Sequence, residues 1–432
     1  MKKLLVRLAL VVLVMLMGVT AYAQDAGACD VAAPASPTQV TMIGWTFPIL
    51  DFYAAELAAC SEVSNLTVNT QLLASADAQA QMRLAASSTG ASPYDIVHGS
   101  NNFINEVARQ GWLLPLNDLI AQYDEQFGLT TDIDASVYGA VTQNGSIYGM
   151  PIVVNTQFFY YNTAILEAAG IEPPQTYEDV IAACEAMDTD ALDIDFAFGM
   201  VLSAGWAWQL EWENLFLAYG GQLLDENNMP TFNSEAGVAA VDLLVDVVNA
   251  CLGQDGLLLS TDDLQAGIAN GSIAMGHMWA SRAAMMDNPE QSDVVGLIEF
   301  APALYPNSDG TKRGGIAWAD YLAIPAASAV DKDLLFQIIM QAADAASQAE
   351  ATQFGLVPRA SAQEGAPRYS TAALQTIAEG GETITNPARA VAATALGQFL
   401  PRVITGELTA QAALDGAAEV YITEATARGF IQ

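Results

Sequence analysis

The stretch YGMPIVVNTQFFYYNTAILEAAGIEPPQTYEDVIAACEAM, residues 148–187, decides how this chain is built. The segment Ile147 to Asn155, which enters this stretch, is extended and apolar and runs directly into Thr156–Asn162. A helix follows and stops at Gly170, a residue suited to the left-handed backbone that closes helices. Pro173 and Pro174 then break the chain. Thr176-Tyr177-Glu178-Asp179 resembles a capping box, with Asp in place of the usual Glu or Gln. Val180, Ile181, Cys184 and Met187 share one helical face behind it.

Toward the N-terminus, strand and helix patterns alternate. Gln39–Trp45, Leu66–Leu73 and Tyr94–His98 read as strands, and Ile49–Glu62, Ala76–Ser87 and Asn102–Gln110 as helices. Such alternation predicts βαβ units around a mainly parallel sheet, with ligands at the carboxyl ends of the strands. Trp45-Thr46 and Gly99-Ser100-Asn101-Asn102 occupy those positions.

Toward the C-terminus, one helix carries Trp208, Trp212, Leu215 and Phe216, spaced for a core. Another carries Val241, Leu244, Val245, Val248 and Leu252 on one stripe. Val294–Phe300 and Trp318–Pro325 are extended, Lys332–Ala346 is helical, and the remainder is helical and Ala-rich.

The N-terminus has the three parts of a secretory signal. Lys2, Lys3 and Arg7 precede the apolar run Leu8–Val19, and Ala21-Tyr22-Ala23 is a small-x-small cleavage pattern, so residues 1–23 would be removed. The run is short for a bilayer span of about 20 residues. The roughly 400 residues beyond it suit two domains. The expected location is periplasmic or extracellular, in soluble form.

The chain has 49 Asp and Glu against 14 Lys and Arg, a formal charge of −35. That surface repels nucleic acid and anionic lipid. Hydrophobic residues make up 52% of the chain, which separates it from a disordered acidic tail.

Four cysteines, Cys29, Cys60, Cys184 and Cys251, allow three pairings in an oxidising compartment. Cys29 and Cys60 lie in the first region, Cys184 and Cys251 on helices of the middle one; this layout favours Cys29–Cys60 and Cys184–Cys251. Buried free thiols are the alternative, and Cys29 also admits acylation, although it sits several polar positions past the apolar run.

Catalytic signatures are missing. There is no GxSxG, HExxH, P-loop or GxGxxG, and His98 and His277 are the only histidines. Asp188, Asp190, Asp193 and Asp195 lack the spacing of an EF-hand and read as a solvated acidic turn, with a calcium loop as the alternative. No cofactor or metal is expected, and no enzymatic activity.

Four stretches in order complete the pattern: YDIVHGSNNFINEVARQGWLLPLNDLI, IYGMPIVVNTQFFYYNTAILEAAGIEPPQTYEDVIAACEAM, GSIAMGHMW and QFGLVPRASA. With the signal and the βα start, they resemble family 1 extracellular solute-binding proteins. These are the sugar-binding subunits of ABC importers, similar to maltose-binding protein. The most specific marks are Tyr161-Asn162, Gly170 to Asp179, and Gly111 to Leu116.

The resemblance implies an α/β, two-lobed periplasmic-binding-protein fold (type II-like) with the ligand in a cleft between lobes. Three hinge crossings fall near Pro151–Asn155, Val294–Phe300 and Phe354–Pro358. Residues 38–153 plus 298–353 would form the N-terminal lobe, and 156–293 plus 358–432 the C-terminal lobe. It also implies the partners: a small carbohydrate and the permease subunits of an ABC importer, met by a monomer.

Candidate ligand contacts follow from position. Trp45 and Thr46 end the first strand, and Asn101 and Asn102 follow the third. Asn155 lies on the first crossing and Arg359 just after the third. Trp279 matches a position where an aromatic stacks on sugar in the resemblance, and Trp318 and Asp320 fall in a loop that reaches the cleft. Core packing competes for Trp45 and Trp279, and helix capping for Asn101 and Asn102. Trp206 and Glu211 are weaker candidates, and His277 reads as structural. The expected role is capture of a neutral sugar, oligosaccharide or polyol. The alternatives are a secreted carbohydrate-active enzyme, a binding protein for a non-sugar solute, and a chemoreceptor-coupled binding module.

Overall fold

The computed structural model describes residues 29–431 except 88–89, 364–365, 381–385 and 387. The leader expected at residues 1–23 lies outside them.

Eleven strands are described: β1 (Thr38–Trp45), β2 (Leu66–Leu73), β3 (Ile96–Ser100), β4 (Thr142–Gln143), β5 (Ser146–Ile147), β6 (Met150–Asn155), β7 (Gln157–Asn162), β8 (Phe196–Gly199), β9 (Ile273–Trp279), β10 (Ile298–Ala301) and β11 (Trp318–Ala323). They form a five-stranded sheet, β2-β1-β3-β11-β6, a four-stranded sheet, β10-β7-β9-β8, and the small pair β4-β5.

The five-stranded sheet is buried on both faces. Neighbouring residues on a strand point to opposite sides, so Met42, Ile96 and Leu322 enter one apolar cluster while Ile43, Val97 and Tyr321 enter another. Burial on both faces explains the near-continuous apolar runs. The second sheet lies in a larger cluster holding Phe158, Phe198, Met275, Trp212 and Val241. The tryptophans read as helix core are buried accordingly, Trp208 at 5% and Trp212 at 0% exposure.

Local signals act as their chemistry requires. Thr176 and Asp179 form a reciprocal capping box, and Gly170 closes the preceding helix with φ 69°. Cys29 is bonded to Cys60 and Cys184 to Cys251. Asp188 caps the short helix Thr189–Leu192, and Asp193 closes it in the left-handed region.

Three expectations need correction. The first sheet is mixed, because β11 enters it antiparallel to both β3 and β6. The second crossing is later than Val294–Phe300: β10 pairs with β7 in the second sheet, and Leu304 and Ile316 remain in that core. The chain therefore changes sheets on entering β11, and residues 298–316 belong with the second lobe. The third crossing is also later. Val154 N–H donates to Leu356 O at 3.0 Å, but Val357 and Ala362 still pack in the first lobe, and Tyr369 is the next large side chain in the second.

Candidate functional site

The carboxyl ends of β1 and β3 and the start of β11 converge on one face of the first sheet. Trp45 packs on His98 with ring centroids 4.1 Å apart. His98 is fully buried, and its Nε2 lies 3.4 Å from Asp320 Oδ2. Gly44 makes this possible, since a Cβ there would sit 2.9 Å from His98 Cβ. Asp320 is in register with Ser100, and the helix Asn101–Arg109 begins at the next residue.

Asn101 and Asn102 therefore sit inside the first turn rather than capping it; the cap position is Ser100. Asn101 is 2% exposed, and its Oδ1 has no hydrogen-bond partner among the described residues. Thr46 is exposed and donates to Asp51 Oδ1 at 2.8 Å. Burial pushes the Asp51 carboxyl above its ordinary pKa, against the Thr46 hydrogen bond and the attraction of Arg282. Burial in turn lowers the Arg282 pKa. Arg282 follows β9 in the second lobe, so Asp51 of the first lobe lies within electrostatic reach of the second.

The second lobe contributes Trp279, at the end of β9. Its carbonyl accepts a 2.6 Å bond from Tyr160 Oη. Its ring meets Trp318 at 6.3 Å and 79°, although Trp318 opens β11 of the first sheet. The Arg389 guanidinium lies 4.8 Å from the Trp318 ring centroid. Trp45, Trp279 and Trp318 are all partly exposed, unlike the core tryptophans.

Behind them runs a buried polar network on the helix Gly205–Ala218. Glu211 accepts from Gln157 Nε2 at 2.7 Å and lies 2.8 Å from His277 Nδ1. Asn214 donates to Gln157 Oε1 at 2.8 Å. Glu213 accepts from Arg389 Nε at 2.7 Å, and again from Arg389 Nη2 and from Gln209. Glu211, read as a weak candidate, is central here, and Glu213 and Arg389 went unselected. The available signal was Gln209, Glu211, Glu213 and Asn214 inside an otherwise apolar helix, since buried polar groups need partners.

Two candidates make hydrogen bonds within the protein. Asn155 ties the crossing to the second lobe: its Nδ2 donates to Ser281 Oγ at 3.1 Å, and its Oδ1 accepts from Ser281 N at 3.1 Å. Arg359 is a correction. It is 1% exposed and donates to Ala343 O at 2.7 Å, Phe127 O at 2.8 Å and Asp132 Oδ2 at 3.1 Å. It fastens the first lobe's own loops, because the chain has not yet left that lobe at residue 359.

Two surface hollows, of about 340 and 520 Å³, hold none of these residues. The first is lined by Asp195, Asp255 and Leu258, the second by Pro37, Glu62 and Asn65.

Two α/β lobes with aromatic rings and buried polar groups gathered where they meet define a two-lobed binding protein. The chain belongs to the bacterial extracellular solute-binding protein family, whose model matches residues 50–346. It is similar to a probable amino-acid ABC transporter periplasmic-binding protein of Sinorhizobium fredii, 25% identical over 169 residues that span 38% of each chain. It is also similar to the maltodextrin-binding protein MdxE of Bacillus subtilis, 28% identical over 126 residues, 29% of this chain and 25% of that protein. The matched segments thus span well under half the length of both relatives.

Solved structures match far more of the chain. A solute-binding protein of Agrobacterium radiobacter in complex with ribitol gives a TM-score of 0.77 at 17% identity, covering 90% of this chain and all of that one. One from Agrobacterium vitis with bound D-mannitol gives 0.75 at 21%, covering 90% and 98%. Maltose-bound MalE3 of T. maritima gives 0.75 at 16%, covering 89% and 99%. These likenesses show the two-lobed periplasmic sugar-binding-protein fold.

Proposed function

We propose that the protein captures a carbohydrate, a neutral sugar, oligosaccharide or polyol, between its two lobes and delivers it to the permease of an ABC importer. It works outside the cytoplasm, as a monomer and without catalysis. The observation that carries this reading is the Trp279–Trp318 pair at the lobe junction, flanked by Asp320 and Trp45. Sugars present flat apolar C–H faces and many hydroxyls. Aromatic platforms match the faces, and carboxylate and amide groups match the hydroxyls. Lobe closure excludes water and is driven by tighter binding to the closed form. The ribitol, mannitol and maltose bound by the similar structures support this class of solute.

The test is a thermal-shift screen with ribitol, D-mannitol, D-tagatose, maltose and the common amino acids, followed by calorimetry. A ligand at 100 times its Kd stabilises the folded state by about 2.7 kcal/mol, a clear shift. A carbohydrate hit is expected. Binding of amino acids alone, or hydrolysis of a glycoside, would overturn the reading.

A further inference from the structure

We propose that Trp318 Nε1 and Arg389 Nη1 form a donor-only subsite that takes an acceptor oxygen of the solute, and that Glu213 makes it selective for uncharged oxygens. The inference rests on the solute-binding reading and names two residues, Arg389 and Glu213, with a new role.

A guanidinium offers five N–H donors and an indole one, and neither accepts. Glu213 takes up Arg389 Nε and Nη2. Arg389 Nη1 and Trp318 Nε1 are both enclosed, and neither has a hydrogen-bond partner among the described residues. Buried donors are almost always paired. Here two of them belong to groups stacked 4.8 Å apart, beside the Trp279 ring. The complement is an oxygen that accepts from both, and at the lobe junction the solute supplies it.

Glu213 decides which oxygen. It is 0% exposed, and the Arg389 side chain 3%. Its negative charge cancels that of Arg389 at contact range, so the subsite presents N–H dipoles without net positive charge. The chain as a whole carries −35. A hydroxyl, ether or carbonyl oxygen fits, whereas a carboxylate or phosphate would lose its hydration without gaining a net positive charge in return.

Calorimetry with D-glucuronate and with inorganic phosphate, on the native chain and Glu213→Gln, tests the selectivity without knowledge of the natural solute. The native chain is expected to bind neither, and Glu213→Gln, with Arg389 uncompensated, to bind at least one ten-fold or more tighter. Equal binding by a cooperatively melting variant overturns the inference. Trp318→Phe keeps a ring and removes one donor, and provides the second measurement should Glu213→Gln not fold. With a solute from the screen that stabilises the native chain, its affinity should fall about ten-fold. The indole N–H resonance assigned to Trp318 by this variant should also move when that solute is added to the native chain. An unchanged affinity, or an unmoved resonance, overturns the subsite. Failure of every carbohydrate in the screen is a separate result that rejects only the carbohydrate reading, because the anion comparison stands without it.

Discussion

Trp279 and Trp318 meet edge to face, 6.3 Å between centroids and 79° between planes, although one ends a strand of the second sheet and the other begins a strand of the first. The pair is the point where aromatic surface from both lobes touches. Removing either ring removes stacking area and the edge-to-face contact. Trp279→Ala and Trp318→Ala should each weaken solute binding by about 2–3 kcal/mol, roughly 30- to 150-fold. Calorimetry with the best solute from the screen measures this, and a variant that binds as tightly as the parent rejects the platform role.

The disulfides should act within lobes. Cys29–Cys60 closes a separation of 31 residues and Cys184–Cys251 one of 67. The chain-entropy account gives about 4 kcal/mol for each. Reduction should lower the Tm of the affected lobe by roughly 8–16 °C, measured by calorimetry with and without reductant. Acylation of Cys29 would need the same sulfur that bonds Cys60. Mass spectrometry of the unreduced protein should recover the Cys29 peptide linked to the Cys60 peptide; a diacylglyceryl Cys29 would contradict it.

Asp132 gives the first lobe an acid-sensitive joint. Burial raises its pKa, but hydrogen bonds from Ser361 and Arg359 outweigh that and leave it below the ordinary carboxylate value. A depressed folded pKa contributes stability above the unfolded pKa, lost as pH falls through the folded one. Asp132→Asn should lower the Tm at neutral pH by roughly 3–8 °C, since Arg359 loses its charged partner. The gap between variant and parent should begin to narrow below about pH 4 and shrink further as the pH falls through the lower folded pKa. A gap that does not narrow at all as the pH falls below about 4 in melting experiments would reject the assignment.

Arg109 and Phe430 form a contact between lobes away from the crossings. The guanidinium carbon lies 3.5 Å from the ring centroid, and Asn228 holds the Phe430 carbonyl at 2.9 Å. Arg109 ends the nine-residue helix that begins with Asn101, so one rigid rod links a candidate ligand contact to this clasp. An exposed cation–π contact shifts an equilibrium by about two- to five-fold. Phe430→Ala should therefore raise the open population by that factor, read from the interlobe distance between paired spin labels. An unchanged distance distribution would refute the clasp.

Much of the frame was readable because it depends on local chemistry. The strand patterns at Gln39–Trp45 and Leu66–Leu73, the Thr176–Asp179 box and the Gly170 stop are short-range signals, and the folded chain uses them as written. The even cysteine count and regional layout favoured the pairing that is found. The crossings were less readable. β10 looks the same in sequence whichever sheet it joins, and only its pairing with β7 assigns it. Arg359 looked like a cleft residue because nothing local reveals that Asp132, Phe127 and Ala343 surround it.

The sequence by itself determined an α/β chain with an acidic composition, and aromatic and amide residues at strand ends. Each of these follows from composition, periodicity or neighbours a few positions apart. Only the tertiary structure decided which residues share the junction. The Trp318–Arg389 stack and the Arg389–Glu213 pair join residues far apart in the chain. Such contacts form because buried charges and ring faces need partners, and which partner is within reach is a property of the folded lobes.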